Sequence, residues 1–280
     1  MLSDVSQFSE TLKAQLYETY VKELRLRGYT DVTVKTYSRY VQRLFESGLS
    51  VSDFLMTFSH CVSTTVRLVY FSIERFYRFV LGEELRTAVP IAKRRYKLPI
   101  VISREDVQKL ITTAGDRQLI RLIIKALYYS GMRVGELSRL TWEDIDFNRN
   151  MIHIKKTKGY KDRAVFLHPE LRYELLLYRH NYREGGQTRG PVLFFENRNP
   201  VSIRAIQGLL ARTRKKAGFT FSISPHTLRH TFAKNLVDTG TPLDQVALLL
   251  GHESLDTTKI YTHPSRRDLE RAVRQAAGDL

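Results

Sequence analysis

The sequence SPHTLRH at residues 224–230 predicts the start of a helix. Ser224 is a favourable N-cap residue and Pro225 a favourable first helical residue. His226 and Arg229 would then share one face of the first turn, where unpaired backbone N–H groups and the helix dipole attract an anion. The motif therefore indicates a phosphate-like ligand, although an ordinary solvated helix start has the same pattern.

Two motifs that follow strengthen this interpretation. The run LLLG at residues 248–251 is typical of an apolar helix end with a glycine C-cap, which would place His252 on a sharp turn. Tyr261 comes nine residues later. A tyrosine hydroxyl, with a pKa of about 10, needs neighbouring bases and cations to act as a nucleophile. The histidines and the arginine of these motifs could supply them.

The charge of the chain indicates a polyanionic partner. The 280 residues include 45 basic and 29 acidic side chains, for a net charge of +16. Residues 1–90 carry 11 basic and 10 acidic groups, and residues 91–280 carry 34 and 19. Such an excess repels itself, and nucleic acid explains it better than an anionic membrane surface does.

The composition indicates a soluble, cytoplasmic protein of two domains. Hydrophobic residues make up 42% of the chain and charged residues 26%, and no apolar run approaches the roughly 20 residues of a membrane span. The start of the chain lacks a signal-peptide pattern. The single cysteine, Cys61, cannot form an internal disulfide and lies in no metal-binding motif, so a reducing compartment is expected.

The apolar periodicity of the first 88 residues predicts a small bundle of four helices, at residues 10–28, 31–47, 51–60 and 63–80. A basic, proline-bounded segment at residues 89–100 has no periodicity and is predicted to be a linker. Basic side chains on the predicted helices are candidates for contacts with a nucleic-acid backbone, although an ordinary solvated helix face has the same pattern: Lys35, Arg39, Arg43, Arg67, Arg75, Arg212, Arg214 and Lys215.

Residues 101–280 predict a mainly helical domain with a small antiparallel sheet. Strands are expected at residues 151–155 and 163–167, as a hairpin with lysines at its tip, and a third strand at residues 192–195. Helices are expected from residue 103, at 116–130, from 133, and then at 169–182, 202–217 and 266–277. In the helix from residue 133, Glu136 lies one turn beyond Arg133 and could hold its guanidinium.

Five motifs in one order complete the pattern: GMRVGEL at 131–137, TKG at 157–159, HTLR at 226–229, LLGH at 249–252 and TKIY at 258–261. With them the chain resembles the tyrosine recombinases of the phage integrase family over nearly its whole length. Because the chain starts at its four-helix region, it is most similar to the shorter Xer-type proteins of bacteria and archaea.

The resemblance implies a two-domain DNA clamp. Residues 1–88 would be the helical core-binding domain, 89–100 the linker and 101–280 the catalytic domain, with a C-terminal exchange helix at 264–280. The partners implied are double-stranded DNA with paired half-sites and either further copies of the chain, as a tetramer, or a paralogous recombinase, with no membrane involved.

The resemblance also implies the catalytic residues: Arg133, Lys158, His226, Arg229, His252 and Tyr261. Tyr261 would form a 3′-phosphotyrosyl link and Lys158 would protonate the leaving 5′-oxygen, with Glu136 as support. Two arginines can bind one phosphodiester and stabilise its transition state, so neither a metal ion nor ATP is expected. A zinc pair of His226 and His230 lacks the usual intervening glutamate.

The expected function is site-specific DNA recombination of the Xer type, which resolves chromosome or plasmid dimers. Three alternatives remain. A mobile-element integrase or excisionase would use the same residues, a topoisomerase-like enzyme would relax DNA without a preferred site, and a catalytically silent DNA-binding protein would not need all six groups.

Overall fold

The computed structural model describes residues 5–85, 87, 99–155, 162–182, 189–195, 197, 199–251 and 258. It divides into two compact units, residues 1–97 and 98–280. Several sequence predictions fall outside the described residues: most of the linker, the hairpin tip with Lys158, both His252 and Tyr261, and the C-terminal helix.

The described part of the first unit is helical. Its α-helices are α1 (Glu10–Leu26), α2 (Asp31–Ser47), α3 (Val51–Met56) and α4 (Ser63–Phe76), and a π-helical segment at Tyr77–Leu81 continues α4. The hydroxyls of Ser9, Thr30 and Ser50 cap the first three helices by accepting from backbone N–H groups three residues on. The four predicted helices are confirmed, although α3 ends four residues earlier than expected.

Aromatic side chains fill the core of this unit. The rings of Tyr20 and Phe76 meet edge to face with centroids 5.6 Å apart, a favourable geometry for aromatic pairs. The buried Tyr20 hydroxyl donates to the Ser72 carbonyl at 2.7 Å, which satisfies its polar end. The apolar stripe of α2, including Val41 and Leu44, is buried in the same core.

Helices also dominate the second unit. In the described residues they are α5 (Arg104–Ala114), α6 (Gln118–Ser130), α7 (Val134–Arg139), α8 (Pro169–Tyr182), α9 (Ile203–Lys216), α10 (Pro225–Asp238) and α11 (Leu243–Leu250). The nearly all-buried α6 is central and contacts α5, α8, α9 and α10. Within the described part of the chain, no helix has the length and apolar character needed to span a membrane.

A small antiparallel sheet packs beside these helices. Its order is β1 (Ile145–Asp146), β2 (Met151–Ile154), β3 (Arg163–Phe166), and Ile152 lies opposite Val165. The hairpin of β2 and β3 was expected from the sequence and is confirmed, as is the mainly helical fold class with its small antiparallel sheet.

The predicted third strand at residues 192–195 is wrong. The third strand is β1, and the described residues near 192–195 form the isolated bridges Thr141↔Pro191 and Phe194↔Pro200 instead of a strand. The prolines at both bridges have no N–H to donate, so a ladder cannot extend from them. The apolar pattern of this segment instead reflects burial of Val192 and Leu193 in the core.

Candidate active site

The first turn of α10 begins as the sequence predicts. The Ser224 hydroxyl accepts from the Thr227 backbone N–H at 3.2 Å, and the Thr227 hydroxyl accepts from the Ser224 N–H at 3.1 Å. This reciprocal cap, with Pro225 as the first residue, sets the helix start. His226 and Arg229 consequently lie in the first two turns of α10.

Arg229 links two other chain segments to α10. Its side chain is buried, with 4% of the residue exposed. One guanidinium nitrogen donates to the Gly131 carbonyl at the end of α6, and the other donates to the Leu250 carbonyl at 2.7 Å, at the end of α11. Gly131 takes the left-handed conformation (φ 60°) that lets the chain turn here towards Arg133.

Arg133 contacts the same end of α11. It is the N-cap residue of α7, and its Nη2 donates to the Gly251 carbonyl at 3.0 Å. Its Nη1 donates to Glu136 Oε1 at 3.0 Å, and its backbone N–H donates to Glu136 Oε2 at 2.6 Å. The support of Arg133 by Glu136, expected from the spacing, is therefore present as two hydrogen bonds.

A third arginine, Arg163 of β3, completes this cluster. Its Nη1 and Nη2 donate to the two oxygens of Glu136 at 2.9 and 2.8 Å, and its Nε donates to the Leu249 carbonyl at 2.9 Å. No motif singles out Arg163. The signal that could have found it is strand alternation, because Arg163 is in phase with the buried Val165 and Leu167 and so faces the interior.

The charges of the cluster shift the pKa of Glu136 strongly. Burial alone would raise the pKa of this carboxyl, but hydrogen bonds from Arg163 and the Arg133 backbone, with both guanidinium charges, lower the pKa to about 2. Glu136 is thus ionised at neutral pH and offsets part of the positive charge of its two arginine neighbours.

The two histidines of α10 are held neutral. His226 is exposed as a whole residue, but its ring is partly desolvated by neighbouring groups, which lowers its pKa. The charges of Arg229 and Arg133 lower this pKa further. Burial, and then His226 and Arg229, lower the pKa of His230 to about 4. A lowered pKa favours the neutral imidazole of His226 at pH 7, which is the form from which a general base acts.

Among the basic residues predicted to contact DNA, one group is exposed in each unit. Lys35, Arg39 and Arg43 form an exposed stripe on α2, and Arg212 and Lys215 are exposed on α9. Long cationic side chains in such stripes can reach phosphate groups. Contact with DNA by these residues stays a prediction.

The remaining basic candidates, Arg67, Arg75 and Arg214, are only partly exposed and contact other groups of the protein. Arg75 pairs with Glu74 at 2.7 Å. The guanidinium of Arg67 lies 5.2 Å from the centre of a phenylalanine ring on the same helix. Arg214 donates to the Phe221 carbonyl at 2.8 Å, which ties the segment after α9 to that helix.

Comparison with known proteins shows to which family the chain belongs. The model of the phage integrase family matches residues 101–267, more than half of the chain and all of the cluster above. The chain belongs to the phage integrase family. It is therefore a tyrosine recombinase, an enzyme that breaks and rejoins DNA strands.

Relatives of this recombinase match both units. The tyrosine recombinase XerA of Pyrococcus furiosus is 30% identical over 95% of this chain and 96% of its own. A crystal structure of XerA recombinase has 24% identity and a TM-score of 0.59, covering 96% of this chain and 100% of its own. A lambda integrase tetramer bound to a Holliday junction has 19% identity and a TM-score of 0.73, covering 89% and 76%. At 24% and 19% sequence identity, the similarity to these two structures shows a shared fold.

Proposed function

We propose that this tyrosine recombinase is a site-specific enzyme of the Xer type, which resolves chromosome or plasmid dimers by cutting and rejoining DNA at paired sites. The single observation that carries the proposal is that Arg133 and Arg229 both donate hydrogen bonds to carbonyls at the same end of α11. Two guanidinium groups in one place match the bidentate recognition of a phosphodiester. Similarity to a XerA protein over 95% of the chain supports the Xer type.

The proposed reaction uses six residues: Arg133, Lys158, His226, Arg229, His252 and Tyr261. The Tyr261 hydroxyl attacks the scissile phosphorus, and His226 takes its proton. The bond from phosphorus to the 5′-oxygen breaks, and Lys158 protonates that oxygen as it leaves. His252 donates a hydrogen bond to the phosphate.

The two arginines stabilise this step electrostatically. Negative charge builds on the non-bridging oxygens as phosphorus becomes pentacoordinate, and donors already fixed in place need no rearrangement to bind it. The carbonyls of Gly131, Leu250 and Gly251 hold those guanidinium groups. The phosphotyrosyl bond then keeps the energy of the broken backbone, so that a 5′-hydroxyl of the partner strand can displace Tyr261 without ATP.

Recombination needs four active sites around two duplexes. The lambda integrase structure is a tetramer on a Holliday junction. We infer the same assembly here, with double-stranded DNA of paired half-sites and four copies of this chain or of this chain and a paralogue. A role in chromosome partition at cell division places the enzyme in the cytoplasm with the chromosome.

Mapping of covalent protein–DNA adducts across the host genome tests the proposal. Adducts trapped by denaturant and sequenced should concentrate at a single chromosomal site, and deletion of that site should leave chromosome dimers unresolved. Adducts at the ends of a mobile element would favour the integrase alternative. Adducts without sequence preference, with relaxation of site-free plasmid, would favour a topoisomerase-like enzyme. No adducts at all would indicate a silent DNA-binding protein.

A further inference from the structure

A third arginine, Arg163, is built into the candidate active site without being exposed to solvent. The side chains of Arg163 and Glu136 are only 6% and 7% exposed, and their two parallel hydrogen bonds measure 2.9 and 2.8 Å. Arginine is suited to such a paired contact because its planar guanidinium matches a carboxylate. A side chain this buried can affect the site through the groups that it contacts, which are the Glu136 carboxylate and the Leu249 carbonyl.

Glu136 is shared evenly between two arginines. Its Oε1 accepts from Nη1 of both Arg133 and Arg163, and its Oε2 accepts from the Arg133 backbone and from Nη2 of Arg163. The carboxylate therefore lies between a buried guanidinium and the 26% exposed side chain of Arg133. Its position, and with it the position of Arg133, depends on Arg163.

Because Glu136 is shared between Arg133 and Arg163, the negative charge of its carboxylate only partly offsets the positive charge of Arg133. A carboxylate paired with Arg133 alone would neutralise that arginine in a poorly solvated site. With Arg163 as a second cation, the three groups carry a net charge of +1. The guanidinium of Arg133 can consequently attract a phosphate while remaining anchored by Glu136.

The same three arginines hold three consecutive carbonyls at the end of α11. Arg163 donates to Leu249 at 2.9 Å, Arg229 to Leu250 at 2.7 Å and Arg133 to Gly251 at 3.0 Å. The last carbonyls of a helix lack partners within the helix, and cations stabilise this end of its dipole. The backbone at the end of α11 is thus tied to the three arginines.

Gly251 shows how closely Arg163 approaches this end. The residue is left-handed (φ 64°), and a Cβ atom here would lie 2.9 Å from Nη1 of Arg163. Glycine is therefore required both by the backbone conformation and by the packed guanidinium.

We propose that Arg163 is a positioning residue for DNA cleavage: through Glu136 it sets the place and effective charge of Arg133, and through Leu249 it sets the end of α11. The proposal rests on the proposed function, because it assumes that Arg133 binds the scissile phosphate.

Single-turnover cleavage of a nicked duplex carrying the mapped chromosomal site tests the proposal. Arg163→Gln should slow cleavage by about 10- to 100-fold, as loss of a partner that orients an active-site group does. The dissociation constant for the same duplex should change less than about threefold, because the side chain is buried. Cleavage at the wild-type rate, corrected for the folded fraction, would overturn the proposal.

A double-mutant comparison asks whether Arg163 acts through Glu136. In a Glu136→Gln background, adding Arg163→Gln should slow cleavage by less than about threefold further, because residues that act as one unit are not additive. Additive losses would mean that Arg163 does not act through Glu136, and would contradict that part of the proposal.

Arg121→Gln is the matched control. Arg121, whose side chain is 21% exposed, donates to the 3% exposed Glu174 at 3.1 Å in an ion pair that joins α6 and α8 of the same unit. The control should lower the melting temperature and leave the cleavage rate of the folded protein unchanged. A loss of cleavage equal to that of Arg163→Gln would reduce the effect of Arg163 to general destabilisation and overturn the proposal.

Arg163→Lys answers the question if the glutamine variant does not fold. Lysine keeps the buried positive charge, but a single ammonium cannot make the paired contact and also reach the Leu249 carbonyl. We expect at least about a tenfold loss of cleavage, and the wild-type rate would contradict the proposal. If the wild-type protein itself forms no adduct on any DNA, the proposed function fails first; if it does and Arg163 variants cleave normally, the positioning role alone fails.

Discussion

Arg133 and Gly251 are 118 positions apart in the chain, and a 3.0 Å hydrogen bond joins the Arg133 guanidinium to the Gly251 carbonyl. Arg229 makes the corresponding bond to Leu250 at 2.7 Å. Both guanidinium groups are thus fixed at the end of one helix before any phosphate binds. Fixed donors of this kind are the main source of electrostatic catalysis, and this arrangement leads to several predictions.

Replacing either arginine should abolish most cleavage, with different effects on stability. Arg229→Ala and Arg133→Ala should each slow cleavage of a nicked duplex by about 100- to 1,000-fold, because each removes donors to the transition state. Arg229→Ala should also lower the free energy of unfolding by about 1–3 kcal/mol, since it leaves buried carbonyls without a donor. Arg133→Ala should lower the free energy of unfolding by less, because the Arg133 side chain is 26% exposed. Cleavage within tenfold of wild type in either variant would show that the phosphate binds elsewhere.

Gly131→Ala should destabilise the fold by at least about 2 kcal/mol, from left-handed strain and overpacking. Its φ is 60°, and an added Cβ would overlap the ring of Phe232. Gly218→Ala is the matched control: its φ is 77°, but nothing lies within 4 Å of the added atom. The control should cost about 1 kcal/mol in a denaturant titration. Equal losses in the two variants would mean that Phe232 moves aside freely.

The contribution of Glu136 to the free energy of unfolding should decrease at acid pH. Because its folded pKa is about 2 against an ordinary 4.5, the ionised carboxylate stabilises the protein fully above about pH 4.5, and this contribution is lost as the pH falls towards 2. Wild type should exceed Glu136→Gln by up to about 3 kcal/mol at pH 7, and the gap should shrink between pH 4.5 and 2. Denaturant titrations across this range measure it, and a gap independent of pH would contradict the ionised pair.

A truncated chain ending at Pro264 tests the predicted exchange helix, which lies outside the described residues. The apolar stripe of Leu269, Ala272, Val273 and Ala276 is too short to be stable as a free helix and must dock on another surface. We expect docking on a neighbouring copy in the DNA-bound tetramer, so truncation should spare single-site binding and impair synapsis and recombination. Recombination of paired sites at the wild-type rate would eliminate this role, and docking on the same domain would remain.

Local rules predicted the elements of the site but not its connections. The Ser224 cap, the glycine ends of α6 and α11 and the bond from Arg133 to Glu136 all follow from spacing within a few residues. The contact of Arg163 with Leu249 joins positions 86 apart, and no periodicity encodes such a pairing. The third strand was misplaced for a related reason, because apolar residues in a short run are equally compatible with a strand and with a buried irregular segment.

Trapping of the covalent protein–DNA adduct shows directly whether Tyr261 is the nucleophile. Wild type, Tyr261→Phe and the exposed control Tyr173→Phe are each incubated with labelled nicked duplex carrying the mapped site, denatured, and resolved by electrophoresis. We expect a denaturant-resistant adduct for wild type and for Tyr173→Phe. Tyr261→Phe should bind the duplex with nearly wild-type affinity but form no adduct, because the change removes one oxygen and no charge. A covalent adduct formed by Tyr261→Phe would show that another residue is the nucleophile.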